Sequence, residues 1–116
     1  MIKLYGIKNC DTVKKAMKWM ADNGIEYQFH DYKKDGVDKA KLTEFVKKFG
    51  FEKLINRKGT TWRQLGEVEQ KKITNDQFGL ELMQEKPSII KRPILDLGSK
   101  QLIGFDVDEY ESEFGV

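Results

Sequence analysis

The first thirty residues set the strongest limit on what this 116-residue chain can become. Ile2–Tyr5 (Ile-Lys-Leu-Tyr) alternates in the manner of a short strand, and Gly6 to Asn9 form a loop. From Asp11 the period changes: Val13, Ala16, Met17 and Met20 fall at i, i+3, i+4 and i+7, one face of a helix. Asn23-Gly24 stops that helix, and Tyr27 and Phe29 then alternate with Gln28 and His30 as a second strand. Strand, helix and strand in direct succession demand a parallel pair joined by a right-handed crossover.

Further along, Asp35-Gly36 turns the chain. Asp38 can then cap a helix with Leu42, Phe45, Val46 and Phe49 on its inner face, ended by Gly50. Residues 51–72 carry weaker signals. Leu54 and Ile55 read as buried, and Thr60-Thr61 as the cap of a short helix through Trp62 and Leu65. A helix from about Asn75 to Glu85 buries Phe78, Leu82 and Met83, and Pro87 closes it. Ile89–Leu95 is a β-type run interrupted by Pro93, and Gly98-Ser99 turns it into Gln101–Ile103 as a hairpin. Asp106 caps a last helix with Tyr110 and Phe114. The expected class is α/β: a mixed four-stranded sheet with a helical insertion over about 38–86, in one domain covering 1–116.

Composition narrows the function. A net charge of +2, with lysines spread among acids, reads as a solvated surface and not as a nucleic-acid stripe. The sequence offers no twenty-residue apolar run and no signal peptide, so no membrane partner is expected. One cysteine makes neither an internal disulfide nor a zinc site, and a reducing cytoplasm is the expected location.

That cysteine, Cys10, is the candidate for chemistry. A lone cysteine is ordinarily a small, inert core residue. This one follows a strand and a Gly-containing loop and abuts the first turn of a helix, where backbone N–H groups and the helix dipole favour a thiolate. The dipole contributes only about 0.3–1 kcal/mol at an exposed site, so further activation needs nearby cations. Of 21 basic residues three are arginines, Arg57, Arg63 and Arg92. Their planar fork suits carboxylates and oxyanions. Arg92 precedes Pro93, and an X-Pro pair at the start of a strand is a candidate for the cis form; a surface arginine beside an edge-strand proline is the plain alternative. His30, the only imidazole, reads as a half-buried strand residue. Trp19 and Trp62 read as packing residues, and Asp11 as support for the helix start.

Three segments occur in order: Gly6-Ile7-Lys8-Asn9-Cys10-Asp11-Thr12-Val13-Lys14-Lys15-Ala16, Asn56-Arg57-Lys58-Gly59-Thr60-Thr61-Trp62-Arg63, and Ile90-Lys91-Arg92-Pro93-Ile94. Together they resemble the arsenate reductase (ArsC) family, in its YffB-type branch, which is related to the Spx regulators. The resemblance runs nearly end to end and implies a thioredoxin-like fold with a helical insertion. In arsenate reductases of this kind the cysteine attacks arsenate. Arginines matching Arg57 and Arg92 bind the oxyanion, and glutathione with glutaredoxin regenerates the thiol. The resemblance therefore implies Cys10 as nucleophile and Arg57, Arg92, Lys14 and Asn9 as the substrate- or anion-binding set, with Pro93 structural. A solvated helix lysine is the equal alternative for Lys14. No tightly bound cofactor and no metal are expected; glutathione is the implied co-substrate and glutaredoxin a partner. Arsenate reductases carry a further arginine after the final hairpin, whereas this chain has none beyond Arg92, leaving Lys100 as the nearest point charge. The expected activity is that of a thiol-dependent reductase acting on a mixed disulfide or an arsenate-like oxyanion. The alternative is a non-catalytic, Spx-like regulator of RNA polymerase, although Val13 stands where a Cys-x-x-Cys switch would place its second cysteine.

Overall fold

The computed structural model describes residues 1–73 and 76–116. In chain order the elements are β1 (Lys3–Gly6), α1 (Asp11–Asp22), β2 (Gln28–Asp31), α2 (Tyr32–Asp35), α3 (Lys39–Leu54) and α4 (Thr60–Gln64). There follow α5 (Gly66–Lys72), α6 (Asp76–Glu85), a 3-10 turn at Pro87–Ile89, β3 (Ile94–Asp96), β4 (Gln101–Ile103) and α7 (Val107–Phe114). They fall into two compact units, Met1–Tyr32 with Arg92–Val116, and Lys33–Lys91. The helical stretch expected over 38–86 lies within the second.

The first unit holds a four-stranded sheet in the order β2-β1-β3-β4. β1 and β2 pair in parallel from Lys3↔Gln28 to Gly6↔Asp31, as a crossover through α1 requires. β3 runs antiparallel to β1, with Tyr5 opposite Ile94 and Lys3 opposite Asp96, and β4 antiparallel to β3. Alternation along the strands places Leu4, Leu95 and Leu102 on one face, where they pack with Ala16 and Met20 of α1 and Tyr110 of α7. Each such large apolar side chain contributes about 1.5–3 kcal/mol on burial. Trp19 meets Tyr110 edge-on at 5.4 Å and completes this core. α7 starts where Asp106 was expected to cap it, the carboxylate accepting from the Asp108 N–H at 3.1 Å.

In the second unit Asp38 caps α3, accepting from the Lys41 N–H at 3.3 Å. Gly50 interrupts α3 with φ 77°, ψ 158°, and the helix resumes for one turn to Leu54. Leu54 and Ile55 are buried as expected. Three expectations need correction. Gly59, not Thr60 or Thr61, is the N-cap of α4; the Thr61 hydroxyl is engaged instead with the Ser88 hydroxyl at 3.2 Å. α5, which residues 51–72 gave no sign of, buries none of its side chains, so it lacks the apolar stripe that would announce it. Ile89–Leu95 is not one run: Pro87 opens a 3-10 turn, Ile90 makes a single antiparallel bridge to Ile55, and only Ile94 onward joins the sheet. The expected start of α6 at Asn75 lies outside the described residues; Leu82 and Met83 are buried as expected, and Phe78 is half-buried. Among the described residues no helix is long and apolar enough to cross a membrane.

Candidate functional site

A close approach at the end of β1 positions the site. A Cβ on Gly6 would lie 2.8 Å from Val13 Cγ2, so only glycine lets the first turn of α1 seat against the strand. The loop between them delivers Cys10 to the N-cap of α1 with extended backbone (φ −133°, ψ 124°). Its carbonyl accepts from the Lys14 N–H at 2.9 Å, and its side chain makes no capping bond. The thiol belongs to a half-exposed residue and forms no disulfide. The first turn of any helix presents N–H groups that lack an intrahelical acceptor, and the dipole adds positive character there. Cys10 therefore stands where backbone donors with no intrahelical acceptor gather. Lys14, one turn further on, and Asn9, just before the cysteine, are both exposed.

Strand register brings the second component to the same end of the sheet. Because Tyr5 pairs with Ile94 in the antiparallel sense, the residues that precede β3 stand beside those that follow β1. Those residues are Arg92 and Pro93, and the peptide bond between them is cis. The Pro93 carbonyl accepts from the Gly104 N–H at 2.8 Å, which fixes the turn into β3 against the end of β4. Arg92 is half-buried. The same register sends Lys100 elsewhere. Asp96 pairs with Lys3, so the β3–β4 turn that carries Lys100 lies at the opposite end of the sheet, about 10 Å along a three-residue strand. Its Nζ is 2.9 Å from Glu113, and this partner holds the lysine's pKa above its ordinary value. Lys100 does not replace the missing arginine. After β4 the chain offers Gly104, Phe105 and Asp106, with no cation at all.

Arg57 belongs to the second unit. It occupies a tight turn in which Gly59 N–H donates to the Asn56 carbonyl at 3.3 Å and Lys58 N–H to the Asn56 side chain at 3.3 Å. Its guanidinium lies over the Trp62 ring, 5.7 Å from the centroid, a cation–π contact that orients the side chain. It borders two shallow cavities. One of about 390 Å³ also has Trp62, Gln70 and Lys71 on its wall, and one of about 340 Å³ has Lys53, Lys58 and Lys91. The first unit thus brings together Asn9, Cys10, Lys14, Arg92 and Pro93, while Arg57 is presented by the other.

A cluster that sequence reasoning missed stands beside Arg92. Tyr5 and His30, opposite each other across β1 and β2, have ring centroids 5.0 Å apart. Tyr32, the residue after β2, lies 6.1 Å from each, nearly parallel to Tyr5 and steeply inclined to His30. Tyr32 is only 2% exposed. Burial pushes its phenol far above the ordinary tyrosine value; Tyr5 adds to the rise and the Arg92 guanidinium opposes it. Alternation in the two strands announces Tyr5 and His30 as same-face neighbours; nothing local announces Tyr32.

The sheet order and the cysteine at the head of the first helix define a thioredoxin-like thiol protein. Residues 5–112 match the model of the ArsC family, and the chain belongs to that family. It is 48% identical over 114 residues to an uncharacterised protein of Haemophilus influenzae, with 98% of this chain and 99% of that one covered. A solved structure of a YffB protein superposes with a TM-score of 0.90 at 42% identity, over 97% of each chain. The global transcriptional regulator Spx of Streptococcus agalactiae is 24% identical over 111 residues, covering 94% of this chain and 80% of the regulator.

Proposed function

We propose that this protein is a thiol-dependent reductase that works through Cys10 with glutathione as co-substrate. The supporting observation is a half-exposed cysteine at a helix N-terminus, at the same sheet end as Arg92. The Cys10 thiolate attacks the glutathione sulfur of a mixed disulfide. The old S–S bond breaks, a Cys10–glutathione disulfide forms, and the substrate leaves as a thiolate that takes up a proton. A free glutathione thiolate then attacks the adduct, leaving glutathione disulfide and the Cys10 thiolate; the net exchange converts the mixed disulfide and one free glutathione into the substrate thiol and glutathione disulfide. With no second cysteine in the chain, the resolving thiol must come from outside, from glutathione itself or with glutaredoxin. An arsenate-like oxyanion is the alternative electrophile for the same sulfur. In either case Arg92 holds the anionic group bidentately, with Lys14 and Asn9 at the rim; an anion-binding role for Arg57 rests on its match to the family motif alone. A glutathione-rich, reducing cytoplasm is the compartment this chemistry requires.

Mass spectrometry after exposure to glutathione disulfide tests the reading. One adduct is expected, confined to Cys10, reversed by glutaredoxin and absent from Cys10→Ser. A protein that stays unmodified under conditions where free cysteine reacts would count against it. The likeness to Spx favours a second reading, a regulator that binds RNA polymerase without catalysis. Retention of the chain by the polymerase α subunit, with thiol transfer unaffected by Cys10→Ser, would favour that reading.

A further inference from the structure

Among the described residues two buried tyrosine hydroxyls have no hydrogen-bond partner, those of Tyr32 and Tyr110. An unmet buried hydroxyl costs about 1–3 kcal/mol, so each calls for a reason. Tyr110 has one in packing. Its ring sits in the core against Trp19 at 5.4 Å and Phe105 at 4.8 Å, both edge-on, and the apolar area outweighs the lost bond.

Tyr32 differs in its surroundings. It follows directly on the Gly6↔Asp31 rung and so stands at the sheet end shared by Cys10 and Arg92. Contacts with Tyr5 and His30 on the neighbouring strands hold its ring in one orientation. The Arg92 guanidinium is near enough to act electrostatically on its oxygen.

We propose that Tyr32 is a positioning residue for Arg92: its hydroxyl, set in place by Tyr5 and His30, turns oxygen lone pairs towards the guanidinium and fixes the direction in which Arg92 offers its donors to the substrate's anionic group. The inference rests on the reading of Arg92 as the anion-binding arm. Inside a protein such a dipole acts more strongly than in water. Arginine also carries about 2 kcal/mol of rotamer entropy, part of which is lost on binding unless the fork is already oriented. Orientation of this kind tightens binding and leaves the sulfur chemistry alone, so its signature is in KM and not in kcat.

Tyr32→Phe keeps the rings and removes only the oxygen. For formation of the Cys10 adduct from glutathione disulfide, KM should rise about three- to tenfold with the maximal rate within about twofold, and Tm should hold or increase. In an Arg92→Ala background the same change should have no further effect, since the two residues act through one interaction. Tyr110→Phe should leave KM unaltered. An unchanged KM in Tyr32→Phe, or an equal rise with Arg92 already removed, overturns the proposal. A wild-type chain that takes no adduct defeats the reductase reading alone. The positioning role is then decided by equilibrium binding of S-methylglutathione, which cannot react: a Kd raised about three- to tenfold in Tyr32→Phe, but not further in the Arg92→Ala background, supports it, and an unchanged Kd refutes it.

Discussion

At Gly6 a missing side chain does as much for the site as any group that is present. Its Cα faces Val13 so closely that a methyl would have to displace the valine or the helix carrying it. Gly6→Ala should therefore destabilise the protein by about 1–3 kcal/mol, as overpacking does elsewhere. It should also change the alkylation rate of Cys10, because the strain falls on the first turn, at whose N-cap Cys10 stands. Urea unfolding and iodoacetamide kinetics on the same variant check both halves. Arg92→Lys is the companion experiment. It keeps the charge and loses the fork, so adduct formation should weaken several-fold in KM while stability changes little; an unaffected KM would mean that the guanidinium geometry is irrelevant.

Among the elements, helix starts give the sharpest energetic expectations. Asp38 and Asp106 each accept from a first-turn N–H, and replacing either by alanine should cost about 0.5–2 kcal/mol. Gly79→Ala should cost more than either, because its Cβ would meet Phe51 Cε1 at 2.5 Å and the Ile73 carbonyl at 2.6 Å, and a backbone oxygen cannot step aside cheaply. Denaturant midpoints of the three variants rank these effects. The caps were legible in the sequence because capping and the i, i+3, i+4 stripe of Val13, Ala16 and Met20 are written in neighbouring residues. Distant pairings left no such mark. Lys100 was a fair substitute for an arginine until the Asp96↔Lys3 rung placed it at the wrong end of the sheet. Ile89–Leu95 looked continuous because apolar, β-branched composition does not tell a 3-10 turn and a lone bridge from a strand. The Tyr5, His30, Tyr32 and Arg92 cluster draws on three separate stretches, so only tertiary structure assembles it. Cys10 and the cis bond before Pro93 were readable for the opposite reason: a helix start and an X-Pro pair are local events.

For the molecule as a whole, the buried phenols predict how it fails in alkali. Burial is the main cause raising Tyr32 and Tyr110 above the ordinary value of 10.0, so the folded form retains protons that the unfolded chain gives up. Below about pH 10 both states are protonated and the contribution is constant. Above it stability should fall, by up to about 1.4 kcal/mol per pH unit for each tyrosine. Urea midpoints measured from about pH 9 to 11.5 should show that decline, and a Tyr32→Phe/Tyr110→Phe double variant should flatten it; a slope indifferent to both changes would assign alkaline unfolding to other groups.

The chain leaves the sheet-bearing unit after Tyr32 and re-enters it at Arg92. Both junctions lie at one end of the sheet, on strands flanking β1, and two strand spacings put the exit and the return about 10 Å apart. Topologically the fifty-nine residues from Lys33 to Lys91 are a cassette. No rung of the sheet draws on a residue of that cassette, so the pairing that sets Arg92 beside the end of β1 is encoded wholly outside it.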